Sequence, residues 1–210
     1  GQIKAVMDDV KPVAIKIVMV NDCATIHAIA DSLSSYSPSK LVVDPVMVST
    51  SGSMLMQRDA LEVFCSELLP MATLLTPNIP EAEVLSKTEI HTVDDMDVAA
   101  KRIFAMGCKA VLIKGGHLEG NKKIDKLYLN DGTVHTFVHA TINTRNTHGT
   151  GCTLSSAIAS FMARGLDLPD AIAHAKEYLS QALEAGKDVE IGEGHGPVCH
   201  LFNPEKTIIL

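Results

Sequence analysis

The chain has 210 residues, 46% of them hydrophobic and 20% charged, with a formal net charge of -7. That length supports a buried core in one large domain or two small ones, and the composition is that of a globular chain, not a disordered one. The acidic balance argues against nucleic acid or an anionic membrane as the main partner, while a small anionic ligand can still be held by local backbone dipoles.

Five cysteines (Cys23, Cys65, Cys108, Cys152 and Cys199) make an odd number with no CxxC pair. Reduced thiols and a cytoplasmic protein are expected. The sequence shows no signal peptide and no long apolar span.

Gly1 to Lys4 reads as the end of a helix, and Pro12 separates it from Val13 to Val20, a mostly apolar run fit for a strand buried on both faces. Asn21 and Asp22 can cap a helix over Ala24 to Leu33. Leu41 to Asp44 is a second buried strand, which makes a βαβ unit with parallel strands. Pro45 to Gly52 is a loop, and a helix spans Arg58 to Leu69, ended by Pro70. Ala72 to Thr76 is a third strand. Short helices follow near Glu81 to Leu85 and over Val93 to Met106, the latter closed by Gly107. Ala110 to Lys114 is a fourth strand leaving through Gly115, Gly116 and His117. Lys126 to Asn130 and Thr133 to His139 flank Asn130-Asp131-Gly132, a strong hairpin signal. A helix from Leu154 to Ala163, a further helix from Leu168 to Ala185 and a loop-rich end complete one α/β domain over residues 1–210.

The chemistry gathers around Asn146-Thr147-His148-Gly149-Thr150-Gly151-Cys152-Thr153, a glycine-bearing turn that opens a helix. A helix start carries unpaired N–H groups and a partial positive charge, which suits phosphate or a developing oxyanion. The same field favours the thiolate of Cys152. Glycine before a helix is common, and a cysteine is more often a small buried residue, so the turn gains its meaning from what surrounds it.

In open α/β sheets ligands bind at the carboxyl ends of the strands. Asp44, Asn78 with Glu81, and Lys114 each follow such a strand. Singly they read as a turn residue, a helix start and a solvated lysine. Together with the glycine turn they suit a magnesium–polyphosphate complex and phosphoryl transfer. A Cys152–His148 nucleophile lacks an orienting third group, and His195 with Cys199 and His200 fits no standard zinc spacing.

Five stretches resemble the hydroxymethylpyrimidine/phosphomethylpyrimidine kinases of thiamine biosynthesis, within the ribokinase-like superfamily. They are Asp44 to Gly52, Thr76 to Glu83, Ile113 to His117, Asn146 to Ser156, and Gly194 to Val198. The resemblance implies a mostly parallel central sheet covered by helices on both faces, with a late β-hairpin. It also implies a cytoplasmic enzyme that uses ATP and Mg²⁺ to phosphorylate 4-amino-5-hydroxymethyl-2-methylpyrimidine, and then its monophosphate.

By motif, Asn78, Glu81 and Lys114 would serve ATP and its phosphates, and Asp44 and Glu81 the metal. Gly149, Thr150, Gly151 and Cys152 would form the anion hole, with Thr150 also serving phosphate. Cys152 would stand where most relatives carry an aspartate base. Met19, Val46 and Cys152 would line the pyrimidine pocket.

The resemblance also implies an N-terminal segment, with a first strand, a glycine-rich stretch and a glutamine, that residues 1–210 do not include. The domain is therefore expected to be N-terminally incomplete, with an open sheet edge. Val18 stands where relatives have glycine. Partners expected are the pyrimidine and ATP, without nucleic acid or membrane, and a homodimer is compatible. Alternatives are pyridoxal kinase on the same scaffold, a non-catalytic nucleotide-binding remnant and, more distantly, a thiol hydrolase.

Overall fold

The computed structural model describes residues 1–48, 54–116 and 122–204. Ser49 to Gly52 of the Asp44 motif, and His117, lie outside the described residues.

Six strands form one sheet in sequential order: β1 (Ile15–Ile17), β2 (Leu41–Val43), β3 (Leu74–Leu75), β4 (Ala110–Lys114), β5 (Lys122–Leu129) and β6 (Val134–Ala140). The first four are parallel, with Ile15 beside Leu41, Val42 beside Leu74 and Leu75 beside Val111. β5 and β6 are antiparallel additions, turned at Asn130-Asp131-Gly132 as the hairpin signal requires.

Alternation along the strands assigns the two helical layers. Val43, Leu75, Val111, Ile113 and Tyr128 point to one face. There they meet α2 (Cys23–Ser34), α3 (Arg58–Val63), α4 (Ile79–Ser86) and α5 (Asp95–Phe104). Val42, Leu74, Ala110, Leu112 and Leu127 point to the other face, under α6 (Thr150–Ala163) and α7 (Leu168–Gly186). Each fully buried leucine or valine here contributes roughly 1.5–3 kcal/mol relative to exposure. Helices on both faces, a largely parallel sheet and a late hairpin are the expected architecture.

Several boundaries differ from the sequence reading. The opening helix, α1, runs over Gln2–Asp9 and docks through Tyr36, whose hydroxyl donates to Asp8 at 2.7 Å. β1 keeps only three of the eight residues in its apolar run, because its single strand neighbour among the described residues is β2. The helix starting at Arg58 widens into a π-turn over Phe64–Leu68 and tightens into a 3-10 turn over Leu69–Met71. Pro70 sits inside that last turn, and its missing N–H ends the ladder of helical hydrogen bonds begun at Arg58. Among the described residues no helix is long and apolar enough to cross a membrane.

Candidate active site

The carboxyl ends of β2, β3 and β4 bring four of the expected residues together. Lys114 closes β4, and its N–H donates to Pro77 O at 2.9 Å, so it lies alongside Asn78 in parallel register. Asp44, just past β2, is 2% exposed. Its carboxylate accepts from Lys114 Nζ, from Thr76 Oγ1 and from Ser155 Oγ, each at 3.0 Å. A carboxylate this deep needs such partners, since an unpaired buried charge costs several kcal/mol.

The sequence reading missed Thr76 and Ser155. Their signals were faint: a polar residue ending an apolar strand, and a serine four residues beyond Gly151 on the same helical face. Ser155 is fully buried and also lies 2.9 Å from the Gly151 carbonyl, so its one proton ties α6 to Asp44 or to its own first turn.

Asn78 and Glu81 form a reciprocal cap on α4. Glu81 N–H donates to Asn78 Oδ1 at 2.9 Å, and Asn78 N–H donates to Glu81 Oε2 at 2.8 Å. Glu81 is only 3% exposed. Burial pushes its carboxyl up to about 7, with nearby Asp44 adding to the rise; Lys114 and the backbone N–H groups of Asn78 and Met47 pull the other way.

These observations test the fit to Mg²⁺. Glu81 and Asp44 are two oxygen donors near one lysine, and burial raises the Glu81 carboxyl against the pull of Lys114. Among the described residues no group of three or more His, Cys, Asp or Glu side chains could hold a metal alone. The set fits an ion that keeps its waters and takes phosphate oxygens as further ligands.

Opposite this cluster stands the start of α6. Gly149 is its N-cap in the left-handed region, at φ +85°, where residues other than glycine are disfavoured. No described side chain caps this helix; the Thr150 N–H turns back to Thr147 O at 3.3 Å, which leaves the N–H groups of Gly151 and Cys152 for a ligand. Gly151 faces the cluster: a Cβ there would lie 3.7 Å from Lys114 Nζ and 3.9 Å from Asp44 Oδ2. Thr150 is half-buried beside it.

Cys152, one residue on, points elsewhere. It is exposed and lines a cavity of about 560 Å³ with His148, Gly149, Phe161, Tyr178 and His200. Lys16, also unforeseen, places Nζ 3.4 Å from the Cys152 carbonyl. Met19 is 58% exposed and Val46 half-buried at the exits of β1 and β2; neither lines that cavity.

A smaller cavity of about 130 Å³ lies between Thr147, Ile142, His139 and the α7 residues Lys176, Leu179 and Leu183. Lys176 Nζ pairs with Asp125 at 2.5 Å, and Asp125 accepts from Gly115 N–H at 2.8 Å, which links this cavity to the exit of β4.

His195 and His200 are engaged elsewhere: His195 Nδ1 lies 3.1 Å from Arg145 O and His200 Nε2 lies 2.9 Å from Thr153 Oγ1.

The sequence profile of one family, described as phosphomethylpyrimidine kinase, matches residues 1–199. The chain belongs to that family. Among the curated phosphomethylpyrimidine kinases, that of Rhizobium meliloti (hydroxymethylpyrimidine/phosphomethylpyrimidine kinase) is 45% identical over 202 residues. The match covers 95% of this chain and 75% of the relative. The thiamine biosynthesis bifunctional protein ThiED of Geobacter sulfurreducens is 43% identical over 205 residues, and there the match covers 97% of this chain but 41% of the relative. The chain thus spans less than half of the bifunctional relative and three quarters of the single-function one.

Among solved structures, the pyridoxal kinase of Staphylococcus aureus in complex with AMP-PCP superposes with a TM-score of 0.85 at 30% identity. It covers 95% of this chain and 71% of that one. Phosphomethylpyrimidine kinases therefore share their ribokinase-like α/β scaffold with pyridoxal kinases, and this chain has it.

Proposed function

We propose that this chain phosphorylates 4-amino-5-hydroxymethyl-2-methylpyrimidine with ATP, and then phosphorylates the monophosphate to the diphosphate for thiamine biosynthesis. The observation that carries the reading is the buried Asp44–Lys114 pair set directly against Gly151 in the glycine turn of α6, a turn that also carries the exposed Cys152. Family membership and the names of the relatives support the same substrates.

In this reading the turn N–H groups of Gly149, Gly151 and Cys152 and the Lys114 ammonium hold the transferred phosphoryl group, whose charge spreads over its outer oxygens at the transition state. Asp44 holds Lys114 in place and, with Glu81, would hold a hydrated Mg²⁺. When bound, that ion would supply charge neutralisation for the phosphates. Cys152 would act as the base that takes the hydroxymethyl proton as the oxygen attacks the γ-phosphorus and the bond to ADP breaks. Met19 and Val46 would wall the pyrimidine. The small cavity beside Thr147 has apolar sides from Ile142, Leu179 and Leu183 and a cation in Lys176, a setting for the nucleotide end of ATP.

The shared scaffold with a pyridoxal kinase favours one second reading, phosphorylation of pyridoxal, another hydroxymethyl heteroaromatic. ATP consumption measured with the pyrimidine and with pyridoxal in parallel, with Cys152→Ala as control, separates them. Turnover on the pyrimidine that the variant loses supports the proposal, and turnover on pyridoxal alone replaces it. Silence on both, in this chain and in any longer polypeptide containing it, leaves a non-catalytic remnant.

A further inference from the structure

Asn146 is 2% exposed and is not one of the proposed catalytic groups, yet both protons of its side-chain amide are engaged. Nδ2 donates to Gly186 O and to Val189 O, both at 2.7 Å, so its two protons meet two carbonyls at the end of α7 and just beyond. Late carbonyls of a helix have no partner within it, which makes this a strong local anchor. On its other side the amide oxygen leaves room only for glycine: a Cβ at Gly196 would lie 2.3 Å from Asn146 Oδ1.

The segment through Gly196 then straps the same loop. His148 N–H donates to Gly196 O at 3.1 Å, and His148 pairs with Pro197 in parallel fashion. His195 Nδ1 lies 3.1 Å from Arg145 O. Cys199 N–H donates to Ala182 O at 3.0 Å, and His200 Nε2 meets Thr153 Oγ1 in the first turn of α6 at 2.9 Å. Residues 145, 146, 148 and 153 are thus gripped on both sides of Gly149, whose left-handed backbone is the hinge of the glycine turn.

We propose that Asn146 is a positioning residue for phosphoryl transfer. It clamps the loop before the glycine turn to the end of α7 and to the strap 195–200, so that the N–H groups of Gly149, Gly151 and Cys152 are already aimed when nucleotide arrives. Preorganised donors reorganise little during reaction, and a misplacement near 1 Å costs about a hundredfold in rate. The proposal rests on the kinase reading above.

Asn146→Ala is compared with the parent chain by hydrogen–deuterium exchange and by steady-state kinetics, well below the variant's melting midpoint. Exchange at residues 147–152 should quicken about tenfold while the middle of α7 is unchanged. The kcat should fall about ten- to hundredfold with little change in KM for the pyrimidine. A variant that melts lower but keeps parental kcat and parental exchange at 147–152 would make Asn146 a structural cap and overturn the proposal. If Asn146→Ala does not fold, Asn146→Ser keeps a polar group at the site but can donate only one of the two hydrogen bonds. Unchanged exchange and kcat there overturn it equally. ATP with Mg²⁺ added to the parent chain tests the kinase reading separately: absent protection at 147–152 and absent turnover would sink that reading, while the exchange comparison still decides the clamp.

Discussion

Asn78 and Glu81 cap one another: each backbone N–H donates to the other's side chain, at 2.8 Å from Asn78 and 2.9 Å from Glu81. An Asn-x-x-Glu element that the family resemblance assigns to metal and phosphate is thus also the hydrogen-bonded start of α4. One carboxylate oxygen is committed to the helix, and the buried carboxyl is held short of full ionisation until positive charge approaches.

That burial has a pH signature. Glu81 has a folded pKa of about 7, against 4.5 for the free group, so the folded state binds its proton more tightly. Its contribution is favourable below about pH 4.5, and it is lost as pH rises from there to about 7, amounting to roughly 3 kcal/mol at most. Lys114 opposes the shift and Asp44 reinforces it. Urea denaturation at pH 5.5, 7 and 8.5 should show stability falling in the parent and a flatter profile in Glu81→Gln. Parallel profiles would refute the assignment.

The Asp44–Lys114 pair should behave as a unit. Asp44→Asn strands an ammonium that is only 15% exposed, and breaking such a pair costs roughly 3–5 kcal/mol. Adding Lys114→Met removes the stranded charge, so the double variant should be more stable than Asp44→Asn alone, though inactive. Strictly additive losses in denaturant titrations would show that the two are not coupled.

Gly149 should tolerate no ordinary side chain, for a backbone reason alone. A Cβ there meets nothing within 4 Å, while its φ of +85° lies in the left-handed region. Gly149→Ala is expected to lose about 1–2 kcal/mol, and Gly149→Asn less, because asparagine enters that region more readily. Equal melting midpoints for the parent and the alanine variant would contradict the geometry.

Cys152→Ala should separate the two phosphorylations. The first acceptor is a hydroxymethyl group that must lose a proton, and a positioned base is worth roughly 10²–10⁴-fold. The second acceptor is a phosphate whose second pKa is about 6, so near pH 8 it needs no base. The variant should lose far more of the first turnover than of the second, read as ADP release with each substrate. Equal losses would mean that Cys152 acts through shape and not as a base. Cys152 is exposed, so the melting temperature should hardly move.

Lys176→Met tests the small cavity. Lys176 pairs with Asp125, which also holds the Gly115 N–H at the exit of β4. KM for ATP should rise about tenfold while KM for the pyrimidine stays level, since a hydrogen bond from a charged donor to the nucleotide is worth on the order of 1.5 kcal/mol. A change confined to the pyrimidine would place the nucleotide elsewhere.

The sequence by itself determined the elements whose pattern is local. The apolar run Ala110 to Lys114 is β4 to the residue, and Gly149 with Gly151 marks the start of α6. Asp22 caps α2 by accepting from Thr25 N–H at 2.8 Å. Periodicity, caps and turn residues act within a few positions, so they can be read along a chain. The ring of Asp44, Asn78, Glu81 and Lys114 was legible because parallel strands put their carboxyl ends on one edge.

Only the tertiary structure decided what those groups touch. Ser155 reaches Asp44 across 111 positions of sequence, and Asn146 finds its carbonyls 40 and 43 residues away. β1 shrank to Ile15–Ile17 because a strand's length is set by the neighbour it pairs with, not by its own apolar run. Cys152 turned toward a cavity while Gly151 faced the lysine, a difference of one residue around a helix of 3.6 residues per turn. Contacts of this kind depend on register and helix rotation, which arise when distant segments pack and which local propensity does not encode.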